Sequence, residues 1–139
     1  MHNTLVREVM TENPAAVEPS TPVVEAARIM KQQDVGPVPV CEGERLVGVL
    51  TDRDIVIRVI AENKDPQSTT VGEVASQDIV TIDPHQNLDE ALRLMAQHQV
   101  RRLPVVEEDG RLVGIVAQAD VAEIGDDART GETVQQISR

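Results

Sequence analysis

The chain has 139 residues, 40% of them hydrophobic, with no Phe, Tyr or Trp and a formal net charge of −11. That length suits one compact domain or two small repeats sharing a core. The acidic balance repels polyanions and anionic membrane surfaces, and no aromatic ring is available to stack on a base, so neither nucleic acid nor membrane is expected as a partner.

In chain order, "LVREVM" (Leu5–Met10) reads as a short helical turn and "AAVEP" (Ala15–Pro19) as an extended segment. Thr21 before Pro22 then starts an amphipathic helix, with Val23, Ala26, Ala27 and Met30 at i, i+3, i+4 and i+7. Two short β-branched strands follow, "PVPV" (Pro37–Val40) and "LVGVL" (Leu46–Leu50), joined by a charged turn as in a hairpin. Their near-continuous hydrophobicity predicts that both faces are covered. Cys41, at the end of the first strand, is the single cysteine, which excludes an internal disulfide; it reads as a small buried hydrophobe, with a redox role left open. A long helix, "DRDIVIRVIAEN" (Asp52–Asn63), closes this half, and the polar "NKDPQSTT" (Asn63–Thr70) reads as a linker.

The same order then returns. "TVGEVA" (Thr70–Ala75) carries Thr70 and Glu73 at the spacing of a capping box, and "IVTIDP" (Ile79–Pro84) is extended. Asn87 starts a helix with Leu88, Ala91, Leu92 and Met95 on one face. Strands "LPVV" (Leu103–Val106) and "LVGIV" (Leu112–Val116) precede a shorter helix, "QADVAEI" (Gln118–Ile124). In the tail, Thr130 starts a possible short helix with Val134 and Ile137 on one side, able to dock or to fray.

The correspondence is residue by residue. Val9 maps to Val74, Pro19 to Pro84, Met30 to Met95 and Pro39 to Pro104 at an offset of 65; beyond the hairpin turn, Gly48 maps to Gly114 and Asp54 to Asp120 at 66. A tandem duplication of one β-α-β-β-α unit accounts for this. The fold class is therefore α+β. The expected divisions are a first repeat at 7–64, a linker at 65–71, a second repeat at 72–128 and a tail at 129–139.

Each repeat also carries one phrase, "GVLTDRDI" (Gly48–Ile55) and "GIVAQADV" (Gly114–Val121). With "VGPVPV…RLVG" and "VRRLPVV…RLVG" before it, this phrase resembles the repeats of the CBS domain (cystathionine β-synthase) family, from about Leu5 to Ile124. The likeness is greatest to small stand-alone bacterial CBS pairs, the hypoxic response protein type among them. The resemblance implies two repeats packed through their sheets with pseudo-twofold symmetry. It also implies clefts that take adenosine compounds such as AMP, ADP or ATP, assembly into a homodimer, and a client protein that the sequence does not name.

The family signature is Gly-hydrophobic-hydrophobic-Thr/Ser-x-x-Asp, in which Asp grips the ribose diol and the hydroxyl contacts ribose or phosphate. It falls on Gly48, Thr51 and Asp54 in the first repeat, and on Gly114 and Asp120 in the second, where Ala117 replaces the hydroxyl. The family's phosphate-directed basic residue falls on Arg101 and Arg102; the first repeat has Gly36 and Pro37 there. The ligand-binding candidates are thus Thr51, Asp54, Arg101, Arg102 and Asp120, with the two repeats incomplete in complementary ways.

Simpler roles stand beside these. Thr51 and Asp54 also have the spacing of a capping box, and Arg101 and Arg102 could pair with the acidic surface. Met30 and Met95 read as core fillers. His2, His85 and His98 lack metal-site spacing, so no metal and no required cofactor are expected. No serine or cysteine has a plausible histidine base and no P-loop is present, so catalysis is not expected. No apolar run approaches the roughly 20 residues of a membrane span. "MHNTLVREVM" lacks a signal-peptide pattern, so a cytoplasmic location is expected.

Overall fold

A computed structural model describes residues 4–122, so His2, Glu123 onward and the tail with Thr130, Val134 and Ile137 lie outside the described residues. Two compact units divide the chain: a central unit, Ala15–Ile79, and a terminal unit formed by Met1–Pro14 with Val80–Arg139. These cuts differ from the repeat boundaries at 64–72, and the reason is visible in the backbone bonds.

In the central unit, helix α2 (Val23–Gln33) accompanies a hairpin of β2 (Val38–Glu42) and β3 (Arg45–Leu50), followed by α3 (Asp52–Ile55) and a π-helical stretch, Val56–Ile60. The short helix α4 (Val71–Val74), which opens the second sequence repeat, packs here. Val71 and Val74 are fully buried with Val23, Val40 and Leu50. The stretch expected to be a linker is built in: Thr69 is buried, and its carbonyl accepts from Val23 N at 2.9 Å. Thr21 O and Pro19 O in turn accept from Val71 N and Gly72 N, both at 2.8 Å.

The terminal unit repeats these bonds. Its elements are α1 (Val6–Val9), β1 (Thr11–Glu12), α5 (Leu88–His98), β4 (Arg102–Val106), β5 (Leu112–Ala117) and helical residues 118–122. Thr4 O accepts from Leu88 N, Gln86 O from Val6 N and Pro84 O from Arg7 N, each equivalent to a central-unit bond at the offset of 65. The opening helix of each sequence repeat therefore folds with the strands of the other, which moves the cuts to 14/15 and 79/80.

Register is equally matched. Val38, Pro39 and Val40 face Leu50, Val49 and Gly48, with a bulge before Cys41; Leu103, Pro104 and Val105 face Val116, Ile115 and Gly114, with a bulge before Val106. Each hairpin gains an outer strand at the signature glycine: Thr11 pairs with Ile115 and Ser76 with Val49. On the other side the extended segments add parallel bridges, Val17 to Val40 and Ile82 to Val105. The hairpin turns differ. Gly43 (φ 62°) serves a two-residue turn, while Gly110 (φ 89°) closes a longer one, which explains the slip from 65 to 66.

The helices follow their predicted stripes, with Val23, Ala26 and Met30 buried in α2, where Ala27 is only half-buried, and Leu88, Ala91, Leu92 and Met95 buried in α5. Asn87 Oδ1 caps α5 by accepting from Glu90 N at 3.0 Å, whereas Pro22 holds the capping position of α2 and the Thr21 hydroxyl instead accepts from Glu18 N. Two expectations need correction. Only β2 is buried on both faces; β3, β4 and β5 alternate buried and half-buried residues, so a hydrophobic run did not report full coverage. The helix after Asp52 is α-helical for one turn and then π-helical, with Ala61 N donating to Val56 O, and Arg58 Nη1 reaching the Val74 carbonyl at 3.1 Å.

Candidate functional site

The two signature phrases sit where a strand ends and a helix begins. Gly48 and Gly114 are required there by crowding. A Cβ on Gly48 would lie 2.9 Å from the Ser76 carbonyl oxygen, and one on Gly114 would lie 2.9 Å from the Thr11 oxygen and 2.6 Å from Met10 Sδ. Real Cβ atoms do not approach so closely, so the glycine of the signature is what lets the outer strand cross β3 or β5.

Thr51 and Asp54 form a complete capping box. Thr51 Oγ1 accepts from Asp54 N at 3.1 Å, and Asp54 Oδ2 accepts from Thr51 N at 3.0 Å. The second unit keeps half of this: Asp120 Oδ2 accepts from Ala117 N at 3.1 Å, and the methyl of Ala117 has nothing to return. The capping role is thus realised in the geometry, yet it leaves chemistry over. Oδ1 of each aspartate takes no hydrogen bond among the described residues, and the Thr51 hydroxyl, used as an acceptor, keeps its proton for donation.

Arg101 and Arg102 lie beside the second phrase. Arg102 is the cross-strand partner of Ala117, and the Arg101 carbonyl accepts from Gln118 N at 2.8 Å. Among the described residues neither guanidinium makes an ion pair. The terminal unit therefore brings Arg101, Arg102 and Asp120 around one strand-to-helix junction, and the central unit holds Thr51 and Asp54 at its own. At the position equivalent to Arg101 stands Gly36, whose carbonyl accepts from Asp52 N at 3.2 Å and whose missing side chain would press on the Asp52 carboxylate at 3.2 Å. The first repeat lacks the basic residue where a carboxylate has moved in. Asp52 was missed from sequence because its aligned partner, Gln118, is uncharged and nothing in the signature marks the position.

Other titratable groups have structural explanations. Burial, reinforced by the charge of Glu18, pushes the Cys41 thiol up, which keeps it protonated and weakly nucleophilic at neutral pH. Glu73 is held below the usual carboxylate range by the Thr70 N–H (2.7 Å) and hydroxyl (2.9 Å). His85 Nδ1 lies 3.0 Å from Asp83 Oδ1 in a local turn. Among the described residues no group of three His, Cys, Asp or Glu could hold a metal, and no helix is long and apolar enough to cross a membrane.

Comparison with known proteins agrees with this architecture. The model of the CBS domain matches residues 6–61 and again 71–126. CBS domain-containing protein YhcV of Bacillus subtilis is 49% identical over 117 residues, 84% of this chain and 82% of that protein. Hypoxic response protein 1 of Mycobacterium tuberculosis is 42% identical over 120 residues, 86% of this chain and 83% of that protein. Its crystal structure, which holds two coordinated zinc ions, superposes with a TM-score of 0.76 over 87% of this chain and 98% of the other. CBSX2 in complex with AMP is 29% identical, with a TM-score of 0.75 over 98% of this chain and 99% of the other. A family model matched twice, over repeats with matching strand register and framing backbone bonds, leaves one conclusion: the chain belongs to the CBS domain family, as a tandem pair.

Proposed function

We propose that this CBS pair is a non-catalytic regulatory module that binds an adenosine nucleotide (AMP, ADP or ATP) and relays its occupancy to a client protein. The observation that carries the reading is the grouping of Arg101, Arg102 and Asp120 at one junction of a chain with a net charge of −11, where neither guanidinium makes an ion pair among the described residues. On so acidic a chain a phosphate needs a local concentration of cations, and an arginine pair supplies it with planar forks that suit phosphate oxygens. Asp120 Oδ1 is the complementary acceptor for ribose hydroxyls. AMP bound by CBSX2 supports the ligand class.

Thr51 and Asp54 offer the sugar-directed half without the arginines, so the two junctions are expected to bind unequally. The missing hydroxyl at Ala117 costs the second about 1 kcal/mol, and the missing guanidinium fork costs the first more for a charged nucleotide than for a nucleoside. The test is calorimetry with AMP, ADP and ATP on the full chain and on Arg102→Ala, Asp120→Ala and Asp54→Ala. Loss of nucleotide binding in Arg102→Ala, with adenosine binding little changed, is the expected result; silent titrations against all three nucleotides overturn the reading. Without Trp or Tyr the protein barely absorbs at 280 nm, so a strong 260 nm band in fresh preparations exposes a carried-over nucleotide directly.

A second reading, self-association with unused clefts, is favoured by one feature. Val56, Ile57 and Ile60 on the π-helical stretch are 59%, 44% and 56% exposed, a concentration of aliphatic surface suited to a homodimer. Sedimentation of Ile57→Glu against the parent chain separates this role from ligand binding.

A further inference from the structure

The central unit holds a cleft of about 210 Å³ over Gly48, floored by Val40, Val47 and Ala75 and rimmed by Glu42 and Gln77. Neither Thr51 nor Asp54 lines it, and it is smaller than the roughly 300 Å³ at which pockets for larger ligands begin. It is not the nucleotide junction.

The terminal unit shows what belongs in such a place. Its strand β5 carries Gly114 where β3 carries Gly48, and its crossing segment carries Met10 where the central unit has Ala75. Met10 packs against the terminal core, and its Sδ and Cγ stand 2.6 Å and 2.9 Å from the point a Cβ on Gly114 would take. At the equivalent point over Gly48 the nearest side-chain atom is the Ala75 Cβ, 3.7 Å away. One unit covers its glycine with its own thioether chain. The other presents the same floor with that chain cut back to a methyl, and with Gly72 where the terminal unit has Arg7.

We infer that the cleft over Gly48 is a binding site for a small cation bearing an unbranched thioether or n-alkyl chain. The apolar floor takes the chain, in the way β5 takes Met10 within the same polypeptide. The carboxylate of Glu42 at the rim, on a chain of net charge −11, favours an amine over a carboxylate at the other end. So small and open a site holds few ligand atoms, which sets affinity in the millimolar range.

The probe is L-methioninamide, titrated into the full chain labelled at valine methyl groups. Val40 and Val47 methyl resonances are expected to shift and saturate, while glycinamide, with no chain, leaves them in place. Ala75→Met, which copies the terminal unit, is expected to abolish the shifts while the protein stays folded; Ala75→Leu serves if that variant does not fold. Glu42→Gln weakens binding about twofold to threefold, as fits an exposed charge. Asp54→Ala leaves it unchanged, so the result stands apart from the nucleotide reading. No shift at tens of millimolar, equal shifts with glycinamide, or shifts that survive filling the cleft overturn the proposal.

Discussion

The central and terminal units share a backbone and differ in what hangs from it. Framing backbone bonds recur at offsets of 65 or 66: Thr69 to Val23 against Thr4 to Leu88, Asp52 to Gly36 against Gln118 to Arg101. Side chains diverge under two different rules. In the core they diverge in compensation: Val38 faces Leu50 in one hairpin, and Leu103 faces Val116 in the other, the large and small partners exchanged. At the strand-to-helix junctions they diverge without compensation, as with Thr51 against Ala117 and Gly36 against Arg101. Packing density constrains the first class because a fixed space must be filled. The second class fills no shared core space, so packing does not constrain it, and its differences are where the proposed ligand binding can be tested.

The strongest way to break the comparison is through the core. Leu50 and Leu103 are both fully buried, and replacing either by Ala is expected to cost about 2–5 kcal/mol in denaturant unfolding. Leu50→Val alone should cost on the order of 1 kcal/mol. The double variant Val38→Leu with Leu50→Val, which writes the terminal pairing into the central unit, should recover most of that loss, because summed volume is restored. If the double variant is as unstable as the sum of its single changes, the two hairpins are not interchangeable frames.

The signature glycines come next. Gly48→Ala and Gly114→Ala each press a methyl onto a backbone carbonyl, and a loss of about 1–3 kcal/mol is expected for both. They differ in what can yield. Gly114→Ala also meets the end of the Met10 side chain, so Met10→Ala should relieve part of its penalty; over Gly48 the closest atom is main chain, and no side-chain truncation helps. Melting temperatures of the single and double variants separate these cases. Wild-type stability in Gly48→Ala would mean that Ser76 does not cross β3 in solution.

Those glycines also mark how far the sequence could be read. The 65-residue offset made the duplication, the helices and both hairpins legible, because each rests on local periodicity or on turn chemistry near in sequence. The exchange of opening helices was not, since "LVREVM" and "TVGEVA" are equally compatible with packing on either set of strands; only the distant partners of Val6 and Val71 decide it. Of the candidate site, Arg101, Arg102 and Asp120 were named by the family resemblance and the strand register brings them to one junction, while the Thr51–Asp54 box was legible from spacing. The cleft over Gly48 was hidden, because it arises from the small size of Ala75 and Gly72, residues that carry no chemical signal of their own.

The smallest effects lie at the junctions themselves, and they ask whether Thr51 is there for the helix or for the ligand. Thr51→Ala converts the first box into the half-box of the second and should cost about 1 kcal/mol, the ordinary value of a lost N-cap. Ala117→Thr is the reverse change. It should raise stability by no more than that amount, since the new hydroxyl must find Asp120 N while Asp120 keeps its bond to the backbone of residue 117. Thr51→Ser keeps the oxygen and should melt near wild type. Thermal unfolding without ligand checks all three. A stable Thr51→Ala protein would show that the box adds little in solution, and the hydroxyl at this junction, present in one repeat and absent from the other, would then owe its place to what binds there.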